Sequence, residues 1–401
     1  MKLFEKEELK HLWPFYLSEF VISLFFIIAP FQVLYFNSIG LSATKIGFLI
    51  AIFPLTTLIF EIPTGAIADL YGRKFSVLSG YFLEGIVLIL IFLFKNYYML
   101  LFLMFISAIA YTLTSGSFEA WVVDLVKSKK RNNLIKSYFG KSQSLLNLGL
   151  IFSGLLGAFL VAVFDLRIMW LVGGGGFILG GFLLLFGEEK YQRREIKIKA
   201  PIKNLYEQTK KSILYGYRHY VLFFLLSVSL ILGIVGSLES LISWTPFLKS
   251  FNFPNYSFGY LWSAMGVLGV IAPLISSRLI KNKNERNILI MLAFLTLIYG
   301  FIVLFSNHLY LLLGVILFGS FLLDFEVPVW RNYFHRFISS NKRATVSSVR
   351  SMIFSLGAII GMPLTGYLVD KIGGRYTIFI SSLLMIPVIF LYLRIKEERL
   401  K

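Results

Sequence analysis

"GAIADLYGRK", residues 65–74, sets an Asp, an Arg and a Lys side by side in a chain that is 57% hydrophobic and only 15% charged. Long apolar runs flank it, near 43–69 before and 75–94 after. Each is long enough to cross a hydrocarbon layer of about 30 Å, which takes roughly 20 apolar residues of helix. The charges therefore mark a tight turn between two membrane spans.

Working outward with the same ruler gives further spans near 13–36, 97–125, 138–163, 166–187, 220–248, 255–280, 287–306, 308–332, 344–369 and 375–393. The expected fold is an all-α integral membrane protein with twelve transmembrane helices. The first span holds Glu19 and lacks a small-residue cleavage signal after it, so it reads as a retained helix and not a leader. Of the 39 Lys and Arg, the segments on one side hold only Lys45, Lys95, Arg167, Lys249, Lys371 and Arg375, while Lys141 and Arg350 fall inside spans. All the others lie on the opposite side, in both termini and in the loops after even-numbered helices. Basic residues resist translocation, so that side is expected to be cytoplasmic, with both termini inside the cell membrane.

The same topology accounts for a formal charge of +18, which serves attraction to anionic lipid. Basic residues scattered between apolar runs do not make the single soluble face of a nucleic-acid binder. With no cysteine and four His, neither a thiolate or His-built metal site nor a thiol nucleophile is expected. Residues 173–176, "GGGG", lack the Lys-Ser/Thr of a phosphate loop and read as a place for close helix packing. No cofactor is expected, nor a catalytic constellation.

The longest polar stretch, 188–219, is strongly basic, with an amphipathic portion in "IKNLYEQTKKSILYGY". It divides the chain into an N-terminal bundle, 1–187, and a C-terminal bundle, 220–401. Sliding one half over the other by 207 residues puts Phe118-Glu119 on Phe325-Glu326 and Gly154 on Gly361, as repeated, pseudo-symmetric six-helix halves require.

The opening stretch can now be read as a motif. Gly65, Asp69, Gly72, Arg73 and Lys74 give G-x-x-x-D-x-x-G-R-K between the second and third helices. This resembles the signature loop of the major facilitator superfamily of twelve-helix transporters. Physically, Gly65 permits close approach of another helix and Gly72 a strained turn. Asp69 suits the N-terminus of a neighbouring helix, and Arg73 and Lys74 suit an anionic lipid surface. The resemblance implies a cytoplasmic latch between the halves that closes in the outward-open state. The second-half counterpart, "APLISSRLIKNKNER", keeps Pro273 but has neither the Asp nor the second Gly, so the latch is expected to be one-sided.

Carboxylates inside spans bear on chemistry, because each costs several kcal/mol unless paired, hydrated or protonated. Glu119 leads them: Tyr111, Ser115 and Glu119 fall at i, i+4 and i+8, a polar stripe on one helix face. The resemblance implies that the fourth and tenth helices line a central cavity. Glu326 holds the matching place on the tenth, near Pro328 and four residues before Trp330, which is expected to supply an aromatic wall. Lys141 and Arg350, on the following helices, are expected partners for Glu119 and Glu326. Glu61 and Glu84 are further proton-binding candidates that either pair across the second and third helices or act alone. Glu19 and Asp124 are expected to pair with basic residues near the inner surface.

Together these features point to a monomeric secondary transporter exchanging protons for small hydrophobic or cationic compounds, with Na⁺ open as a coupling ion. A proton-coupled importer of an organic solute is the close variant. An enzyme or a non-transporting sensor lacks sequence support: there is no clustered nucleophile, and no loop is large enough for a signalling domain.

Overall fold

A computed structural model describes residues 4–189, 219–280, 284–339 and 342–395. The amphipathic portion of the basic linker lies outside the described residues. Among the described residues the structure is all helix. In chain order the helices are α1 (Lys6–Leu24), α2 (Gln32–Ser38), α3 (Ala43–Tyr71), α4 (Arg73–Leu93), α5 (Tyr97–Thr114), α6 (Ser117–Ser128), α7 (Asn133–Val163) and α8 (Ile168–Leu184). They continue as α9 (Tyr220–Leu238), α10 (Leu241–Lys249), α11 (Ser257–Leu279), α12 (Glu285–Phe305), α13 (Leu309–Arg336), α14 (Arg343–Leu383) and α15 (Met385–Arg394).

Nine helical stretches among the described residues are long and apolar enough to cross a membrane, counting α5 with α6 and α9 with α10. One of them, Thr345–Arg394, runs for 50 residues and turns at Gly373, whose φ is 84°. With the shorter apolar α8 and the α1–α2 pair, the arrangement is compatible with twelve crossings. Large apolar side chains point outward all along these helices, among them Phe159, Phe186, Phe305 and Phe390. A surface of that kind is stable in lipid and not in water.

Three spans are interrupted where the sequence suggested continuity. The first is α1, which starts earlier than expected, at Lys6, with Glu8 reaching back to the Glu5 N–H, and ends before a turn into α2. The fourth breaks at Ser115-Gly116, where Gly116 has φ 72°, and the seventh breaks at Glu239-Ser240. At the last break Ser240 caps α10 by accepting from the Ile242 N–H.

The chain forms two compact units. One contains described residues 4–39, 55–189 and 255–263, and the other contains 40–54, 219–254, 264–280, 284–339 and 342–395. In the first, glycines set the packing distance: a Cβ at Gly174 would come within 2.7 Å of the Gly85 carbonyl and 2.9 Å of Ile89. Three of the glycines in 173–176 thus serve close packing, against Ile28, α4 and Phe25, while Gly175 meets nothing. The core of this unit gathers Phe15, Phe118, Trp121, Tyr138 and Leu184. In the second, Gly233 and Gly357 let α9 and α14 meet backbone to backbone, above a core of Leu222, Leu225, Tyr333, Phe334 and Tyr392.

Candidate functional site

The turn at residues 65–74 is a built junction. Gly72 has φ 99°, a conformation that favours glycine and lets α3 turn directly into α4. Arg73 Nη2 pairs with Asp124 Oδ2 at 3.2 Å, and Lys74 Nζ donates to the carbonyls of Leu185 and Gly187, each at 2.8 Å. Arg73 is thus engaged by α6 and Lys74 by the end of α8, where the sequence reading placed both cations at the lipid surface. The N-terminus of α4 is capped by Glu189, whose Oε1 accepts from the N–H groups of Arg73 (2.7 Å) and Lys74 (3.0 Å). Asp69 sits exposed on the last turn of α3, and a Cβ at Gly65 would meet no atom within 4 Å, so the expected close approach there is not made.

Glu188, which sequence reasoning passed over as linker, completes the junction. It pairs with Lys129 at 2.6 Å and with His11 at 3.3 Å, and its carbonyl accepts from Trp121 Nε1 at 2.9 Å. The hydrogen bond from Lys129 holds its carboxyl below the usual carboxylate range. The signal available was the pair of acids opening a basic stretch.

Around Glu119 the expected partnership changes. Lys141 bonds to Glu8, not to Glu119, with Nζ 2.6 Å from Oε2. Glu8 is fully buried and also accepts from Tyr16 OH at 2.5 Å. The physical reason is reach: α1 extends a full turn and more past its expected start, carrying Glu8 against α7. Glu19 finds no loop base either; it accepts from Tyr138 OH at 2.8 Å and Ser142 Oγ at 2.5 Å, and lies within electrostatic reach of Glu119. Glu119 itself is exposed, in the first turn of α6 just past the break. Tyr111 and Ser115 are exposed too, but the break at Gly116 interrupts the single-helix stripe that their spacing suggested.

The other carboxylates divide by burial. Glu84 Oε1 accepts from Ser107 Oγ at 2.9 Å while its Oε2 is buried without a hydrogen-bond partner among the described residues. Glu61 is exposed, and no pairing of the two occurs. On α13, Glu326 lies within electrostatic reach of Arg350, yet no ion pair within 4 Å joins them among the described residues. Instead the Arg350 guanidinium stacks 3.8 Å from the centroid of Trp330. Trp330 is only 4% exposed and stacks on Phe334 at 4.6 Å, so it is a core residue and not the cavity wall expected. Pro328 is accommodated within an unbroken α13. Glu239, at the break of the seventh span, accepts from Ser381 Oγ at 2.7 Å.

Helices long enough to span lipid, interrupted beside carboxylates, define a polytopic membrane protein of the solute-carrying kind, since broken helices place polar groups where solutes and ions bind. The family model of the Major Facilitator Superfamily matches residues 15–349 and 285–401, and the chain belongs to that superfamily of transporters. An uncharacterized MFS-type transporter, YxaM of Bacillus subtilis (strain 168), is 22% identical over 391 residues, covering 94% of each chain. The crystal structure of nucleoside transporter NupG superposes with a TM-score of 0.76 at 13% identity, covering 96% of this chain and 99% of that one. That of a D-xylose-proton symporter gives 0.72 at 12% identity, covering 96% and 98%. At such identities these structures establish the shared fold.

Proposed function

We propose that this secondary transporter couples protons to the export of small hydrophobic or cationic compounds by alternating access, acting as a monomer in the cell membrane with both termini cytoplasmic. Two six-helix halves, joined by the basic linker, rock about a central site. The observation that carries the reading is Glu119: an exposed carboxylate at the head of α6, beside a helix break, with Lys141 committed elsewhere and half-buried Glu19 within electrostatic reach. A carboxylate in that position binds either a proton or a cationic solute, and such exclusivity is what antiport requires. Glu326, Glu84 and Glu61 are the secondary candidates. Import of an organic solute is the second reading, favoured by the structural likeness to a symporter.

The test uses purified protein in liposomes with an internal pH dye, an imposed proton gradient and a panel of lipophilic cations, amino acids, nucleosides and sugars. Proton flux driven by cations and lost in Glu119→Gln is expected, with Glu326→Gln run alongside. Flux unaffected by Glu119→Gln removes that residue from coupling, and proton movement in the same direction as a sugar or nucleoside establishes import.

A further inference from the structure

The motif at the inner turn recurs in the second half, past the eleventh span and not past the eighth. Residues 366–375, "GYLVDKIGGR", repeat G-x-x-x-D-x-x-G with an Arg close behind, against "GAIADLYGR" at 65–73. The correspondence extends to geometry. Gly373, like Gly72, has a positive φ, 84° against 99°. Arg375, like Arg73, is anchored nearby: it donates to Asn307 Oδ1 at 3.0 Å and lies 5.1 Å from the ring centroid of Phe247. Because the copy sits in the turn between the eleventh and twelfth spans, it faces the opposite side of the membrane from the original. Inverted-topology repeats place equivalent turns on opposite faces in this way.

Asp370 makes the contact that sequence analysis assigned to the inner Asp. It caps the N-terminus of α3, accepting from Ala43 N at 3.0 Å, Thr44 N at 2.8 Å and Thr44 Oγ1 at 2.6 Å. Ser42 Oγ takes the next N–H, that of Lys45, at 3.3 Å, so the first three orphan donors of the helix are satisfied. Two glycines dovetail the helices: Gly366 lies against the backbone of Ala43 and Thr44, and Gly47 against that of Met362 and Pro363. The bonds to Thr44 are exposed, so water can replace them. Water taking over those bonds lowers the cost of separating the two helices at this end.

We infer that Asp370, Gly366 and the start of α3 form an outer latch, the mirror image of the inner motif, which is closed here and opens when the transporter exposes its site to the outside. This rests on the transport reading, but its test needs no substrate. The chain has no cysteine, so a single Ala43→Cys, at a position 8% exposed, reports on the seam. Whole cells are treated with a membrane-impermeant maleimide. Asp370→Asn removes the charge that favours the helix dipole and is expected to raise the labelling rate roughly tenfold, or about 1.4 kcal/mol. Thr44→Val deletes one exposed bond and is expected to raise it roughly threefold; it carries the test if Asp370→Asn fails to reach the membrane. Labelling unchanged in Thr44→Val and in any membrane-inserted Asp370→Asn overturns the latch, as does loss of transport without a change in labelling. A raised labelling rate in a protein that moves no solute keeps the latch and sinks the proton-coupled reading.

Discussion

Replacing Lys141 with Met should destabilise the N-terminal unit through Glu8. The carboxylate of Glu8 is fully buried and held by Lys141 Nζ at 2.6 Å, Tyr16 OH at 2.5 Å and, more weakly, the Glu5 N–H at 3.3 Å. Removing one partner of a buried pair costs about 3–5 kcal/mol because the other charge is left uncompensated. Lys141 keeps a quarter of its side-chain surface exposed and Tyr16 remains, so about 2–3 kcal/mol is the expected loss here. For a unit of this size that is roughly 5–10 °C in the apparent Tm. The assay is a double-mutant cycle by thermal unfolding in detergent: Lys141→Met and Glu8→Gln alone and together, then Lys141→Met with Glu119→Gln. Coupling of about 2 kcal/mol is expected between Lys141 and Glu8, and near zero between Lys141 and Glu119. Strong coupling to Glu119, or a neutral Lys141→Met, would refute the assignment.

Gly174→Val puts a branched side chain where even a Cβ comes within 2.7 Å of the Gly85 carbonyl, so it should separate α4 from α8 and cost about 3 kcal/mol or more, read as lost folded yield in detergent. Glu188 has its carboxyl held below the ordinary range by Lys129, so the junction's contribution is complete above that range and is lost as pH falls through the lowered value. Fluorescence of Trp121, whose indole N–H donates to the Glu188 carbonyl, should change in acid in the native chain and lose that step in Glu188→Gln; an identical acid transition in the variant counts against it.

The sequence by itself determined the all-helical membrane class and where most of the apolar stretches lie, because a membrane imposes one length and one polarity on every crossing helix. It also marked Gly72 as a turn residue, since the motif demands a strained backbone there. What it could not supply was partnership. Lys141 stands beside Glu119 in any helix-by-helix count, yet bonds to Glu8, because the start of α1 depends on a local cap that hydropathy does not register. The break at Gly116 is likewise a tertiary choice: a lone glycine in an apolar run is compatible with an intact helix, and only the packed bundle decides that it bends. Arg350 shows the same limit, stacking on Trp330 where charge counting paired it with Glu326. Asp370 sat in plain sight as a repeated motif, but only the fold brings it to Ala43 and Thr44, 327 and 326 residues away, because hydrogen bonds to a helix end depend on angstrom-scale placement that no linear pattern encodes.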